Sequence, residues 1–123
     1  MDAARASAQA LGLRISPDPQ PEQVFFIRSD QYNFVKQGIP AIFPEAGWQD
    51  AQGNIEKNRA YQEWWTKNRY HQPSDEYDPK LDYENMAKEV RADFLMALAV
   101  AVDPERPRWN EGDVFGKMFG AAR

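Results

Sequence analysis

The chain has 123 residues, of which 42% are apolar and 13% aromatic. That length fits one domain of ~100–200 residues, and the apolar fraction is enough for one compact core. A formal charge of -4 argues against nucleic acid or an anionic membrane as a partner, and the lack of cysteine excludes disulfides, thiolate chemistry and finger-type zinc sites.

The N-terminal third predicts one short helix and several strands. Residues 2–11 are alanine-rich and end at Gly12, where a left-handed C-cap is expected. Leu13 and Ile15 alternate with polar residues, which is typical of a brief strand before a proline-rich surface connection. The apolar runs 24–27 and 39–43 are bounded by turn residues and predict buried strands of a sheet covered on both faces.

Two helices and a loop are predicted between residues 28 and 65. Ser29 or Asp30 is expected to cap a first helix that ends at Gly38. Residues 44–57 contain glycine and proline among polar residues and predict a long loop, a type of segment that is often functional or mobile. The run 58–65 follows with aromatic residues at helical spacing, which fits either a core-facing cluster or a substrate wall.

The longest predicted helix begins after Asp82, its N-cap, and stops before Asp103 and Pro104. Glu84 and Lys88 form a favourable pair four residues apart. Its apolar stripe, assigned to the core or to an interface, consists of Tyr83, Met86, Ala87, Val90, Phe94, Ala97, Leu98 and Ala101. Residues 104–123 are assigned to a tail whose aromatic residues pack either on the body or on a second chain.

No apolar run approaches the ~20 residues that span a bilayer, and the first residues lack the apolar stretch of a secretory signal. As written, the chain is expected to be soluble and cytoplasmic, although a longer parent could be exported.

His71 is the most distinctive residue for chemistry, because it is the only histidine in the chain. It is the sole candidate for a neutral nitrogen ligand or for a general base at physiological pH, and the alternative is a structural or solvated histidine. Asp75 follows four residues later and either orients the imidazole by a hydrogen bond or stabilises the loop.

Two further groups have a functional and a structural interpretation. Tyr70 is a candidate oxyanion donor, or a tyrosine with a buried ring and a hydrated hydroxyl. Arg28, Ser29 and Asp30 either line a pocket at the end of a strand or, for Ser29 and Asp30, cap the helix that follows.

Taken together, residues 28–30, Phe34, 38–41, 70–75 and the long helix carry a resemblance. In order and spacing over roughly residues 10–103, they are similar to the C-terminal part of the co-catalytic zinc aminopeptidases, peptidase family M28. The resemblance implies an α/β fold: part of a three-layer α/β/α sandwich, with a small, mostly parallel sheet and a long C-terminal helix. Residues 1–103 are assigned to this segment.

The resemblance also implies chemistry that the chain lacks. Family members cut N-terminal residues from peptides with two zinc ions held by five protein ligands, and all ligands but the last histidine lie upstream of the matched region. His71 corresponds to that ligand and Tyr70 to a residue that stabilises the tetrahedral intermediate in some members. The family usually has the sequence Ser-Asp-His at this point. Here it is Ser29, Asp30 and Gln31, so glutamine stands where the family has histidine.

One histidine cannot hold a catalytic zinc, which needs about three protein ligands. We therefore expect a truncated aminopeptidase-like protein that binds no zinc stably and is inactive alone. Its partner would be the missing N-terminal half, and it would take a peptide substrate only once the site is completed.

The alternative is a non-enzymatic module that associates with itself. A homo-oligomer, most simply a dimer, is expected in either case, because a sheet of few strands leaves an unpaired edge and an apolar face. A weaker possibility is a metal site completed by His71 from two chains.

Overall fold

The computed structural model describes residues 2–120, and within that range the protein is helical. In chain order the α-helices of this range are α1 (Asp2–Ala10), α2 (Phe25–Arg28), α3 (Tyr32–Val35), α4 (Glu56–Asn68), α5 (Tyr83–Val102) and α6 (Val114–Phe119). A short 3-10 turn, Pro21–Gln23, precedes α2. Residues 2–120 contain no β-strand, so the predicted α/β sandwich with a small parallel sheet is wrong.

The apolar runs do not become strands, because the described chain gives them no strand to pair with. Ile39–Phe43 lies outside the helices, and no backbone hydrogen bond of the described residues joins it to another extended segment. The run 24–27 turns helical instead: Val24 has a left-handed φ of 47° and Phe25 begins α2. Apolar composition favours burial, but a sheet also needs paired backbone groups.

The helices with strong local signals are confirmed. α1 ends before Gly12, whose φ is +65°. Asp82 caps α5 by accepting a hydrogen bond from the Asn85 backbone N–H at 3.0 Å. Glu84 and Lys88 form the expected ion pair at 3.3 Å, and the helix ends at Val102. These features are confirmed because each depends on residues within one or two helical turns.

The predicted cap of α3 is wrong. Gln31 occupies the N-cap position and no side chain bonds the first turn. The Ser29 hydroxyl instead donates to the Phe25 carbonyl at 2.8 Å, so it satisfies the end of α2. The predicted end of α3 is confirmed, since Gly38 follows with a φ of +80°.

The core of the described chain is small. α1 packs against α5, where Met96 is 8% exposed and Ser7 is buried. Val35 at the end of α3 is the largest side chain with no exposed surface among the described residues. The accessible surface is 10099 Å², whereas a monomer of 14.2 kDa typically exposes about 6,800 Å².

The segment after α5 lies against α2 and α3. The Trp109 indole N–H donates to the Gly38 carbonyl at 3.1 Å. Phe115 on α6 stacks on Phe26 with ring centroids 5.2 Å apart and meets Tyr32 edge-on at 5.7 Å. Of the predicted tail, residues 121–123 lie outside the described residues.

None of the helices in residues 2–120 has both the length and the apolar character that crossing a bilayer requires.

Candidate functional site

A cavity of about 480 Å³ brings three of the predicted site residues together. Arg28 and Ser29 reach it from the end of α2, and Tyr70 reaches it from the turn after α4. This volume lies within the ~300–1,000 Å³ of small-molecule sites. The segments that build the cavity are the proline-rich connection with α2, the loop before α4, and α4 itself.

Aromatic rings form much of the cavity wall. They belong to Phe25, Phe43, Trp48, Trp65 and Tyr70. The Trp65 ring lies 5.3 Å from the Tyr70 ring, and the Trp48 carbonyl accepts a hydrogen bond from the Asn58 side-chain amide at 2.8 Å. Helical spacing places Trp65 on the cavity side of α4, whereas its neighbour Trp64 is half exposed and does not line the cavity.

Groups of both charges also line the cavity. The Arg28 guanidinium donates to the Gln23 carbonyl at 3.2 Å and lies 5.5 Å from the centre of the Phe25 ring. Two carboxyl groups, Asp18 and Glu45, belong to the same lining. Partial burial, and secondly the nearby charge of Asp18, raise the pKa of the Glu45 carboxyl. The cavity can therefore pair with a cation or an anion.

Sequence reasoning missed Asp18, Glu45 and Trp48 as cavity residues. They lie in two segments predicted as a surface connection and a loop, and only the length of the 44–57 loop signalled function. Their convergence on α4 depends on contacts distant in sequence, which no local pattern encodes.

His71 lies beside the cavity rather than in its lining. Its ring stacks on the Tyr70 ring with centroids 3.8 Å apart, and its φ of 55° is in the left-handed region. The imidazole is exposed to solvent. Ser74 holds the loop, since its hydroxyl donates to the Asn68 carbonyl at 2.7 Å and its carbonyl accepts from the Arg69 guanidinium.

The two remaining predicted residues do not join the site. Asp30 and Asp75 are exposed and do not line the cavity. Among the described residues, no hydrogen bond links Asp75 to His71; the Asp75 backbone N–H donates to the Gln72 carbonyl at 2.9 Å instead.

The donors around His71 do not fit a zinc ion. In the part of the chain that the structure describes, no three histidine or carboxylate side chains come close enough to share a metal. A catalytic zinc takes about three protein ligands, and two adjacent zinc ions take more.

Comparison with known protein families places the chain in one of them. The model of peptidase family M28 matches residues 1–95, more than three quarters of the chain. The chain belongs to peptidase family M28. No curated protein and no solved structure gave a significant match.

The family match covers the whole candidate site. Every residue that lines the 480 Å³ cavity, together with His71, lies within residues 1–95. Peptidases of family M28 are generally zinc-dependent. This chain matches the family model, yet its described residues contain no group of three side chains that could hold a zinc ion. The match ends within α5, before the segment that carries Trp109 and α6.

Proposed function

We propose that this chain is the substrate-binding part of an M28 zinc aminopeptidase, and that alone it holds the N-terminal residue of a peptide without cleaving it. The observation that carries the proposal is the convergence of Arg28, Ser29 and Tyr70 on one aromatic-walled cavity within the family match. The parent reaction would be metal-dependent hydrolysis of N-terminal residues from peptides.

The chemistry of the cavity suits the end of a peptide. An aminopeptidase substrate carries a free α-ammonium group and one side chain. The carboxyl groups of Asp18 and Glu45 supply negative charge for the ammonium group, and the rings of Phe43 and Trp65 supply an apolar wall for the side chain. The Tyr70 hydroxyl is the candidate donor to the oxygen of the scissile carbonyl.

The proposed inactivity follows from the donor set. The resemblance assigns His71 alone to a metal-ligand position of the family, and the remaining donors would come from polypeptide that supplies the other half of the site. Until they are present, the cavity binds but does not activate a water molecule for attack.

Binding is tested by the intrinsic tryptophan fluorescence of the protein during titration with phenylalanine amide. We expect saturable binding that is lost in Trp65→Ala and kept in Trp64→Ala, a matched control one residue away that does not line the cavity. N-acetyl-phenylalanine amide should bind at least about tenfold more weakly, because it lacks the cationic amine. Equal binding of both ligands, or equal loss in both variants, would reject the binding role.

Activity is tested separately on aminoacyl chromogenic substrates with added zinc or cobalt. We expect no turnover above that of the metal alone. Turnover that disappears in His71→Ala would contradict the proposed inactivity and leave the assignment of the cavity intact.

A second candidate function is a non-enzymatic module that associates with itself. The observation that favours it is the exposed surface, about 1.5 times that of a typical monomer of the same mass. Binding of phenylalanine amide would be absent under this alternative.

A further inference from the structure

Helix α5 is apolar on two opposite sides, and only one of them is covered. Ala92, Leu95 and Met96 belong to the side with the lowest exposure, where α1 packs. At 100° per residue, the stripe identified in the sequence lies about 180° away around the helix. This outer stripe consists of Tyr83, Met86, Ala87, Val90, Phe94, Ala97, Leu98 and Ala101. At its centre Val90 is 66% exposed and Phe94 62% exposed.

The outer stripe is large enough for a protein interface. From residue 83 to residue 101 it runs about 27 Å along α5. The chain exposes about 3,300 Å² more than a monomer of its mass typically does. A stable homodimer buries about 800 Å² of each partner, and an obligate one about 1,000–2,500 Å². One two-fold interface would therefore account for between about a quarter and about three quarters of the excess.

The pattern of large and small residues matches a second copy of itself. Two α5 helices can run antiparallel with residue 92 of one beside residue 92 of the other. Each residue then lies level with the partner residue whose number, added to its own, gives 184. Val90 then faces the partner's Phe94, Tyr83 faces the partner's Ala101, and Met86 faces the partner's Leu98. The two aromatic side chains of the stripe, Tyr83 and Phe94, therefore each face a smaller one, while Ala87 faces the partner's Ala97.

A parallel pair has one electrostatic advantage, which is too small to decide the orientation. Arg91 and Asp93 flank the outer stripe on opposite sides, so they would pair between parallel helices and meet their own copies between antiparallel ones. Exposed ion pairs contribute little to the free energy of association. A parallel pair would instead place Phe94 against the partner's Phe94 and Tyr83 against the partner's Tyr83, so the largest side chains would crowd the same levels.

We propose that two copies of this chain form a dimer through the outer stripe, with their α5 helices antiparallel and Val90 against the partner's Phe94. The cavity at α2 and α4 is built by other elements, so the dimer does not depend on the proposed peptide binding. Because like charges meet at the flanks, salt should strengthen the association or leave it unchanged.

Sedimentation equilibrium measures the dimer directly. At about 10 μM we expect a mass twice the 14.2 kDa of the chain. Val90→Glu should weaken dimerisation at least about 100-fold, because it puts a charge into an apolar contact. Val114→Glu is the matched control: Val114 on α6 is 64% exposed and lies outside the outer stripe, so its variant should remain dimeric. Phe94→Ser should also weaken the dimer and introduces no charge.

Cross-linking tests the orientation, because the chain has no cysteine. On oxidation, a mixture of Val90→Cys and Phe94→Cys chains should form disulfides at least about tenfold faster than either variant alone. Faster cross-linking of each variant to itself would reject the antiparallel arrangement. A monomer at 10 μM would overturn the proposal, and so would a chain that pairs only with another polypeptide of the peptidase. A dimer that Val90→Glu leaves intact would overturn it as well.

Discussion

Val35→Ala should be among the most destabilising apolar truncations in the described chain. Val35 has no exposed surface, and the structure buries few other apolar side chains completely. Removing its two methyl groups forfeits about 1.6 kcal/mol of transfer free energy, and the cavity left behind raises the loss to about 2–3 kcal/mol. For a chain of this length the melting temperature should fall on the order of 10 °C.

Urea denaturation followed by circular dichroism measures this loss. Val102→Ala is the matched control, because Val102 is 70% exposed at the end of α5 and its truncation should change the free energy of unfolding by less than about 0.5 kcal/mol. If Val35→Ala cost no more than Val102→Ala, the small core around α3 would not be what stabilises the fold.

Three other substitutions test separate parts of the structure. Gly38→Ala should destabilise the protein, since φ is +80° and the new Cβ would lie 2.9 Å from the Phe119 carbonyl oxygen; an unchanged melting temperature would contradict this contact. Asp113→Ala should cost about 1 kcal/mol in urea denaturation, because Asp113 caps α6 by accepting from the Phe115 N–H at 2.8 Å; no loss would mean that the cap is not formed. Glu45→Gln should stabilise the protein at neutral pH, because folding raises the pKa of the Glu45 carboxyl. The free energy of unfolding of the wild-type protein should therefore fall as the pH rises from the pKa of Glu45 in the unfolded chain to its pKa in the folded chain. Melting curves recorded from pH 4 to 7 should show this decline in the wild type and not in the variant.

The candidate site was only partly predictable. Three of the predicted residues, Arg28, Ser29 and Tyr70, do line the cavity, whereas Asp30 and Asp75 do not. The sequence gives the positions of these two aspartates along the chain. It does not give the direction of a carboxylate in a loop, because that direction depends on the conformation of the turn. Asp75 lies in a turn in which its own N–H bonds Gln72, and no residue pattern singled out that geometry.

The sequence by itself determined what depends on neighbours a few residues apart: the Asp82 cap, the Glu84–Lys88 pair and the helix ends at Gly12 and Gly38. It also carried the family membership, which rests on residue order. Only the tertiary structure decided that the described chain has no sheet, that α5 packs on α1 through its Met96 side, and that Asp18 and Glu45 reach the cavity. An apolar residue favours burial without specifying a partner, and the partner is set by contacts between segments distant in sequence.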